Sequence, residues 1–168
     1  MAKLVIVNGA PGVGKSTVAE IVFSGLSNAA FLDGDDVWRI RPFEVNDRTK
    51  AIVGKNIPFV LRSYLEAAYD YVLLAWVMHR QEIIDAILEA LSDLEFDLHV
   101  FTLVAEEGVL CERWRSRAGK QAVPELVGDR LRQSRRLRTT QIDTTGMEPD
   151  EVADRILASV AGPASPAG

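Results

Sequence analysis

Residues 4–23 read LVIVNGAPGVGKSTVAEIVF. An apolar, β-branched run ends at a glycine-rich turn, and from Lys15 onward the apolar residues recur at the spacing of a helix. The turn matches the pattern G-x-x-x-x-G-K-[ST] from Gly9 to Ser16. In this strand, turn and helix context, the pattern predicts a loop whose backbone N–H groups, with the start of the helix, bind the phosphates of a nucleoside triphosphate.

Side chains of the same loop have separate expected roles. Lys15 supplies a mobile positive charge for the outer phosphates, and the Ser16 hydroxyl is placed to bind Mg²⁺. The residues expected to contact the nucleotide are Gly9, Ala10, Pro11, Gly12, Val13, Gly14, Lys15, Ser16 and Thr17.

Composition limits the class of protein. A chain of 168 residues with 48% hydrophobic residues is the size of one domain with a sizeable core. A formal charge of -5 argues against binding to long nucleic acid, and the single cysteine, Cys111, excludes an intrachain disulfide and a cysteine zinc site. No segment reaches the roughly 20 apolar residues of a membrane span, and the start lacks the features of a signal peptide, so we expect a cytoplasmic protein.

Strand and helix patterns alternate along the chain. Apolar runs at residues 3–8, 29–32, 71–78, 98–105 and 139–143 predict five strands, separated by segments of helical periodicity. This order predicts an α/β three-layer sandwich with a mostly parallel central sheet, whose ligands bind at the carboxyl ends of the strands. We expect one domain over residues 1–161, a helical insert at about 36–68 that is interrupted at Pro42 and Pro58, and a disordered tail at 162–168.

An acidic segment follows the second predicted strand. FLDGDDVWR, residues 31–39, contains Asp33, Asp35 and Asp36. Phosphoryl transfer uses a carboxylate to orient or deprotonate the accepting hydroxyl, and Mg²⁺ prefers oxygen ligands, so this segment predicts both functions. The alternative is a polar turn with a helix cap, since aspartate is common in both.

NGAPGVGKST, followed about twenty residues later by LDGDDVWR, resembles the small P-loop kinases. These include chloramphenicol phosphotransferase, the gluconate, shikimate and adenylylsulfate kinases, and the zeta-toxin and polynucleotide kinases. The resemblance implies a P-loop NTPase fold and transfer of the γ-phosphate of ATP, with Mg²⁺, to a hydroxyl of a small molecule. It implies that Asp35 is the base, with Asp36 as a rival, that Asp33 approaches Mg²⁺ through water, and that Arg39 assists the substrate. Many P-loop proteins carry an acidic residue at the end of the third strand, and YVLLAWVMHR has none.

Basic residues are concentrated late in the chain. Nine of the 19 lysines and arginines lie between Arg113 and Arg138. One interpretation is a solvated helix face; the other is a lid, at about 115–138, whose arginines close over the triphosphate. The resemblance places Arg113 and Arg117 at the lid entry, where one contacts phosphate and the other flanks adenine, with Arg132 or Arg136 returning from the far side.

Two further segments supply candidate contacts. QIDTTGMEPDEVADRIL, residues 141–157, resembles the end of chloramphenicol phosphotransferase and implies that Asp143, Thr144 and Thr145 contact the base. The insert contributes four polar candidates for the acceptor pocket, Arg41, Asn46, Asn56 and Arg62. The side chains expected to stack on or cover the acceptor are Trp38, Phe59, Trp76 and His79. Trp76 and Cys111 stand in apolar patterns that favour the core.

The preferred interpretation is an ATP-dependent phosphotransferase acting on a small hydroxyl compound such as a nucleoside, sugar or antibiotic, without a membrane or long nucleic acid as partner. Two alternatives remain at this stage. One is a kinase of polynucleotide 5′-hydroxyls, and the other is a slow ATPase that acts as a switch or binding module. The oligomeric state stays open.

Overall fold

The computed structural model describes residues 1–118 and 124–162, with the backbone alone at 117 and 118. Within these residues there are five strands: β1 (Lys3–Gly9), β2 (Ala29–Asp33), β3 (Tyr71–Trp76), β4 (Asp97–Val104) and β5 (Thr140–Asp143). The helices of the same residues are α1 (Lys15–Gly25), α2 (Asp47–Glu66), α3 (Gln81–Glu89), α4 (Glu107–Ala118), α5 (Glu125–Ser134) and α6 (Pro149–Ala161). A short 3₁₀ turn, Asp36–Trp38, follows β2.

The strands form one parallel sheet in the order β2-β3-β1-β4-β5. β1 lies at its centre, where Leu4 is paired with Val72 on one side and Leu98 on the other. Continuous apolar runs suit a sheet that is covered on both faces. The predicted α/β fold with a parallel five-stranded sheet is confirmed, and the phosphate loop, the acidic segment and the end of β3 meet at its carboxyl edge.

Alternate residues of β1 pack into two separate hydrophobic cores, one on each face of the sheet. Val5 and Val7 of β1 pack with α1, α4, α5 and α6, whereas Leu4 and Ile6 pack with α2 and α3 on the opposite face. All four side chains are fully buried, which is the alternation that a strand with helices on both faces requires. The sheet therefore has α1, α4, α5 and α6 on one face, and α2, the helix of the insert, with α3 on the other.

The insert differs from the sequence-based expectation. Helix α2 runs without a break from Asp47 to Glu66 and contains Pro58, so the predicted interruption at Pro58 was wrong. Proline has no N–H group to donate to the carbonyl four residues earlier in the helix. Here that carbonyl belongs to Gly54, which is exposed to water. Pro58 itself is buried beside Ile57, and this packing outweighs the local preference of proline.

Several strand bounds also differ from the prediction by one or two residues, and two of these differences, at the carboxyl ends of β3 and β2, concern the site. β3 ends at Trp76 rather than at residue 78, because the side chain of Asn8 takes over the hydrogen bonding of Met78. β2 extends to Asp33, which brings that carboxylate to the end of the strand. No helix of the described residues is long and apolar enough to cross a membrane.

Candidate functional site

The phosphate loop connects β1 to α1. Gly14 has φ +105 and lies at the N-cap of α1, in a backbone conformation that side chains other than glycine rarely adopt. In the described structure the first turn of α1 has neither a side-chain cap nor an acidic residue. Its first N–H groups and its positive dipole end therefore suit an anion, as the sequence predicted.

Gly9 allows the loop to start close to the sheet. A Cβ atom built at Gly9 would lie 2.7 Å from Val13 Cγ1 and 2.8 Å from the carbonyl oxygen of Leu103. The Leu103 carbonyl belongs to β4, the neighbouring strand, and cannot move without breaking the sheet. The first glycine of the motif is thus required because two backbones approach each other here.

Ser16 and Asp33 come together as the sequence predicted for the metal. The Ser16 hydroxyl lies 3.2 Å from Asp33 Oδ2, although the two residues are seventeen positions apart. Mg²⁺ is commonly held by one or two protein oxygens together with water and substrate phosphates, and this donor pair fits that chemistry. Among the described residues no group of three or more His, Cys, Asp or Glu side chains could hold a metal ion.

Asp35 is held in place from two directions. Its backbone N–H donates to Asp33 Oδ1 at 3.0 Å, and its Oδ1 accepts a hydrogen bond from the indole N–H of Trp76 at 3.2 Å. Trp76 is only 8% exposed, so it belongs to the core, as predicted, and also positions the carboxylate. Asp36, the rival, instead pairs with Arg39 at 3.5 Å in solvent.

A cavity of about 600 Å³ opens beside Asp35. Its lining consists of Asp35, Trp38, Arg39, Ile40, Arg41 and Phe43. The rings of Trp38 and Phe43 meet edge to face with centroids 5.4 Å apart, and Phe43 is 61% exposed. Aromatic walls with a few polar groups are typical of small-molecule sites.

A second cavity, of about 670 Å³, lies on the other side of the phosphate loop. Residues of the loop, α1, α4 and α6 line it, including Gly12, Gly14, Thr17, Arg113 and Thr144. Six residues predicted to contact the nucleotide therefore meet at one cavity: Gly12, Val13, Gly14, Thr17, Arg113 and Thr144. Asp143 is not among the described residues that line this cavity. Its Oδ1 accepts a hydrogen bond from the backbone N–H of Thr145, and hydrogen bonds from Thr145 lower the pKa of Asp143.

Arg113 joins the phosphate loop to Thr144, the residue that follows β5. Its Nη1 donates to the carbonyl of Val13 at 3.2 Å and to Thr144 Oγ1 at 2.9 Å, and its Nη2 donates to the Thr144 carbonyl at 2.9 Å. Thr144 is 2% exposed and its Oγ1 in turn donates to the Val104 carbonyl. Arg113 thus stabilises the wall of the cavity, a role that the sequence pattern did not predict.

Replacing Arg113 by alanine is expected to weaken ATP binding by at least about tenfold and to reduce the free energy of unfolding by about 2 kcal/mol, because three hydrogen bonds of a charged group are lost. Calorimetric titration with AMPPNP and denaturant unfolding measure the two effects. The exposed neighbour Arg115 provides the control variant Arg115→Ala. Equal behaviour of the two variants would show that Arg113 has no such role.

The other predicted lid arginines are found in varied settings. Arg132 pairs with Asp129 and Glu107, Arg135 donates to the carbonyl of Ala105, and Arg138 lies 3.9 Å from Asp85. The side chain of Arg117, predicted to act in catalysis, lies outside the described part of the chain. Its role stays a prediction.

Most polar candidates of the insert have structural partners. Asn46 caps α2, and Asn56 donates to the Val37 carbonyl. Arg62 pairs with Asp93, beyond the end of α3; their hydrogen bond raises the pKa of Arg62 and lowers the pKa of Asp93, so both stay charged. The structure therefore directs Arg62 away from the acceptor side. Arg41 alone of the four polar candidates lines the cavity beside Asp35.

Residues 4–141 match the model of a protein family described as an AAA domain. The chain belongs to this family. The match covers the phosphate loop, the acidic segment and the sheet, apart from the first residue of β1 and the last two residues of β5. No curated protein sequence matches this AAA domain significantly.

Solved structures of similar fold include several kinases. The tunicamycin resistance protein of Deinococcus radiodurans superposes with a TM-score of 0.73 at 23% identity, over 99% of this chain and 100% of that one. A gluconokinase of Sinorhizobium meliloti gives 0.72 at 22%, over 95% and 91%, and the APS kinase of Mycobacterium tuberculosis gives 0.64 at 18%, over 96% and 98%. The resemblance to small P-loop kinases is confirmed as a likeness of fold.

Proposed function

We propose that this AAA domain transfers the γ-phosphate of ATP to a hydroxyl group of a small molecule. The observation that carries the proposal is the chain of contacts from Ser16 to Asp33 and on to Asp35, which stands at the mouth of an aromatic-lined cavity. This chain connects the phosphate loop with a carboxylate and with a separate space for an acceptor. A protein that only bound or hydrolysed ATP would not need the 600 Å³ cavity beside Asp35.

In the proposed reaction the acceptor occupies the cavity that Trp38 and Phe43 help to line, with its hydroxyl near Asp35. The hydroxyl oxygen forms a bond with the γ-phosphorus, its proton moves to the Asp35 carboxylate, and the bond from the γ-phosphorus to the β–γ bridging oxygen breaks to leave ADP. The indole of Trp76 occupies Oδ1 of Asp35, which orients the carboxylate so that Oδ2 receives the proton.

The negative charge of the transferring phosphoryl group is stabilised by the residues that bind ATP. Lys15 and the N-terminus of α1 bind the phosphates, and Ser16 and Asp33 would hold Mg²⁺, which supplies electrostatic stabilisation of the phosphate oxygens. Arg39 and Arg41 line the acceptor cavity and are proposed to orient the acceptor. Residues 36–68 then serve as the acceptor-binding insert and 115–138 as the lid of one domain spanning 1–161.

The acceptor is the undetermined part, and a panel of hydroxyl compounds tests the proposal. The protein is incubated with γ-labelled ATP, Mg²⁺ and, separately, sugars, sugar acids, nucleosides, hydroxylated antibiotics and a short oligonucleotide with a free 5′-hydroxyl. The proposal predicts label in at least one small acceptor, with the rate depending on acceptor concentration. Label in the oligonucleotide alone supports the polynucleotide alternative, and release of inorganic phosphate that no acceptor stimulates supports an ATPase switch.

A further inference from the structure

The cavity of about 600 Å³ beside Asp35 has two guanidinium groups in its lining, those of Arg39 and Arg41. Apart from Asp35, the remaining lining residues are apolar: Trp38, Ile40 and Phe43. Of the four side chains expected to stack on or cover the acceptor, Trp38 alone is among the described residues that line this cavity. Since proton transfer uses Asp35, the chemistry of the two arginines determines which further group of an acceptor this cavity suits.

The two arginines differ in their partners. Arg39 Nε lies 3.5 Å from Asp36 Oδ1, although both side chains are largely exposed. Arg41 makes no hydrogen bond or ion pair within the part of the chain that the structure describes. Glu44, the carboxylate nearest to Arg41 in sequence, instead accepts a hydrogen bond from Asn46 Nδ2 at 3.2 Å. The charge of Arg41 is therefore available to a ligand in the cavity.

The segment that carries Arg41, residues 36–46, is fixed near both ends. Near its start, Asn56 of α2 donates to the Val37 carbonyl at 3.0 Å. Near its end, the hydroxyl of Thr49 donates to the Glu44 carbonyl at 2.6 Å, and Thr49 is only 7% exposed. These contacts to α2 hold the wall of the cavity in place without a ligand.

A row of aromatic rings extends from Asp35 along the cavity. The Trp76 indole donates to Asp35 Oδ1, and its ring meets that of Trp38 edge to face with centroids 6.1 Å apart. Trp38 meets Phe43 in the same way at 5.4 Å. Arg41 and Asp35 thus line one cavity whose remaining wall is mainly apolar, as in sites that bind the carbon skeleton of a small molecule.

We infer that the acceptor is an acidic hydroxyl compound whose carboxylate or phosphate binds Arg41 while its hydroxyl lies at Asp35. A guanidinium group binds either anion through two parallel N–H···O hydrogen bonds, which a neutral acceptor cannot provide. The inference rests on the proposed function and narrows its substrate class to compounds such as sugar acids and sugar phosphates. Arg41 would then select the acceptor, and Asp35 would activate it.

ATP is the other source of anionic groups in this site, and the placement of Arg41 favours the acceptor. Arg41 is not among the described residues that line the 670 Å³ cavity on the nucleotide side. Among the described residues, the linings of the two cavities have no member in common. The phosphates also have their own cationic partners in the account, Lys15 and the N-terminus of α1.

Calorimetric titration of the protein saturated with AMPPNP and Mg²⁺ tests the inference, because the phosphate loop is then filled. The probes are matched pairs that differ in an anionic group: gluconate and glucitol, glucose 6-phosphate and glucose, and a nucleoside 3′-monophosphate and its nucleoside. We expect at least one acid to bind about tenfold or more tightly than its neutral partner. This difference should shrink as NaCl is added, since salt screens charge pairs that water can reach.

Arg41→Gln should weaken binding of that acid by about tenfold, because the charge-assisted hydrogen bonds are lost. Affinities for the neutral partner and for AMPPNP should stay within about twofold, as is usual for an exposed position. Arg48→Gln is the matched control, since Arg48 is also exposed and is not among the described residues that line the cavity. It should change none of these affinities.

Four results would overturn the inference. They are failure of every acid to bind, equal affinity for the acid and neutral members of each pair, an equal loss in Arg41→Gln and Arg48→Gln, and a loss of AMPPNP affinity in Arg41→Gln. The last of these would assign Arg41 to the nucleotide.

The titration measures binding without turnover, so its outcome is distinguishable from that of the proposed function. If an acid binds through Arg41 and no acceptor is phosphorylated, the anion site stands and the transferase proposal fails. If only neutral compounds bind and are phosphorylated, and Arg41→Gln phosphorylates them at the original rate, the transferase proposal stands and the inference about Arg41 fails.

Discussion

Asp35→Asn is expected to lower acceptor-dependent turnover by about 10²–10⁴-fold, which is the usual range for loss of a general base. Asparagine keeps the size of the side chain and the acceptor oxygen for the Trp76 indole, but it cannot take the hydroxyl proton. Because Asp35 lies outside the phosphate loop, the affinity for ATP should stay within a few fold of the original. Steady-state kinetics and calorimetric titration with AMPPNP measure the two quantities.

Asp36→Asn is the matched control for this variant. Asp36 is the next residue, and its side chain is 63% exposed and pairs with Arg39, whose side chain is 84% exposed. An exposed pair of this kind contributes little, so turnover should change only slightly. If Asp36→Asn abolishes turnover while Asp35→Asn remains active, Asp36 is the base and the assignment of Asp35 is wrong.

Gly9→Ala is expected to weaken nucleotide binding by more than about 100-fold, since overpacking of a filled site costs about 1–3 kcal/mol or more and here distorts the binding loop itself. The new methyl group would meet the Leu103 carbonyl at 2.8 Å, which cannot retreat, and Val13 Cγ1 at 2.7 Å. Val13 is 2% exposed and lies within the loop, so it is the group that must shift. Titration with AMPPNP measures the loss.

Gly54→Ala separates this effect from a general response to an added methyl group. A Cβ atom at Gly54 has nothing within 4 Å, and the residue is in the exposed part of α2. Alanine there should leave nucleotide affinity unchanged and, as a better helix former, increase stability by about 0.5–1 kcal/mol. Near-normal affinity of a folded Gly9→Ala protein would show that the close approach at Gly9 does not shape the loop.

The sequence predicted those features that depend on local patterns. The phosphate loop follows from residues 9–16, and the alternation of strands and helices was sufficient for the parallel sheet. The meeting of Ser16 with Asp33 also followed, because parallel strands bring their carboxyl ends to one edge. Each of these inferences needs only the order of elements and the chemistry of a short segment.

Features that depend on contacts across the fold could not be predicted in this way. Pro58 within α2 is tolerated because of burial, which overrides the local preference for a break. Arg113 donates hydrogen bonds to residues 100 and 31 positions away, whereas the resemblance placed it at the lid entry, beside a phosphate or adenine. Trp76 orients Asp35 through a contact 41 residues apart, and no periodicity indicates such a pair.

The lid illustrates the same limit for electrostatics. The resemblance left open whether Arg132 or Arg136 returns from the far side of the lid, and in the structure Arg132 is paired with two carboxylates. Burial and, after it, the charge of Arg130 lower the pKa of His79, an effect that spacing along the chain does not predict. A concentration of basic residues in a sequence therefore predicts a negatively charged ligand, but it does not indicate which side chain contacts that ligand.

Phosphorus NMR of a single reaction tests the central claim most directly, because it shows where the γ-phosphate of ATP goes. The protein is mixed with ATP, Mg²⁺ and the best acceptor from the panel, alongside the Asp35→Asn variant. The account predicts a new phosphomonoester resonance that grows in step with ADP, exceeds inorganic phosphate and is absent with the variant. ADP and inorganic phosphate in equal amounts, with no phosphomonoester for any acceptor, would contradict it.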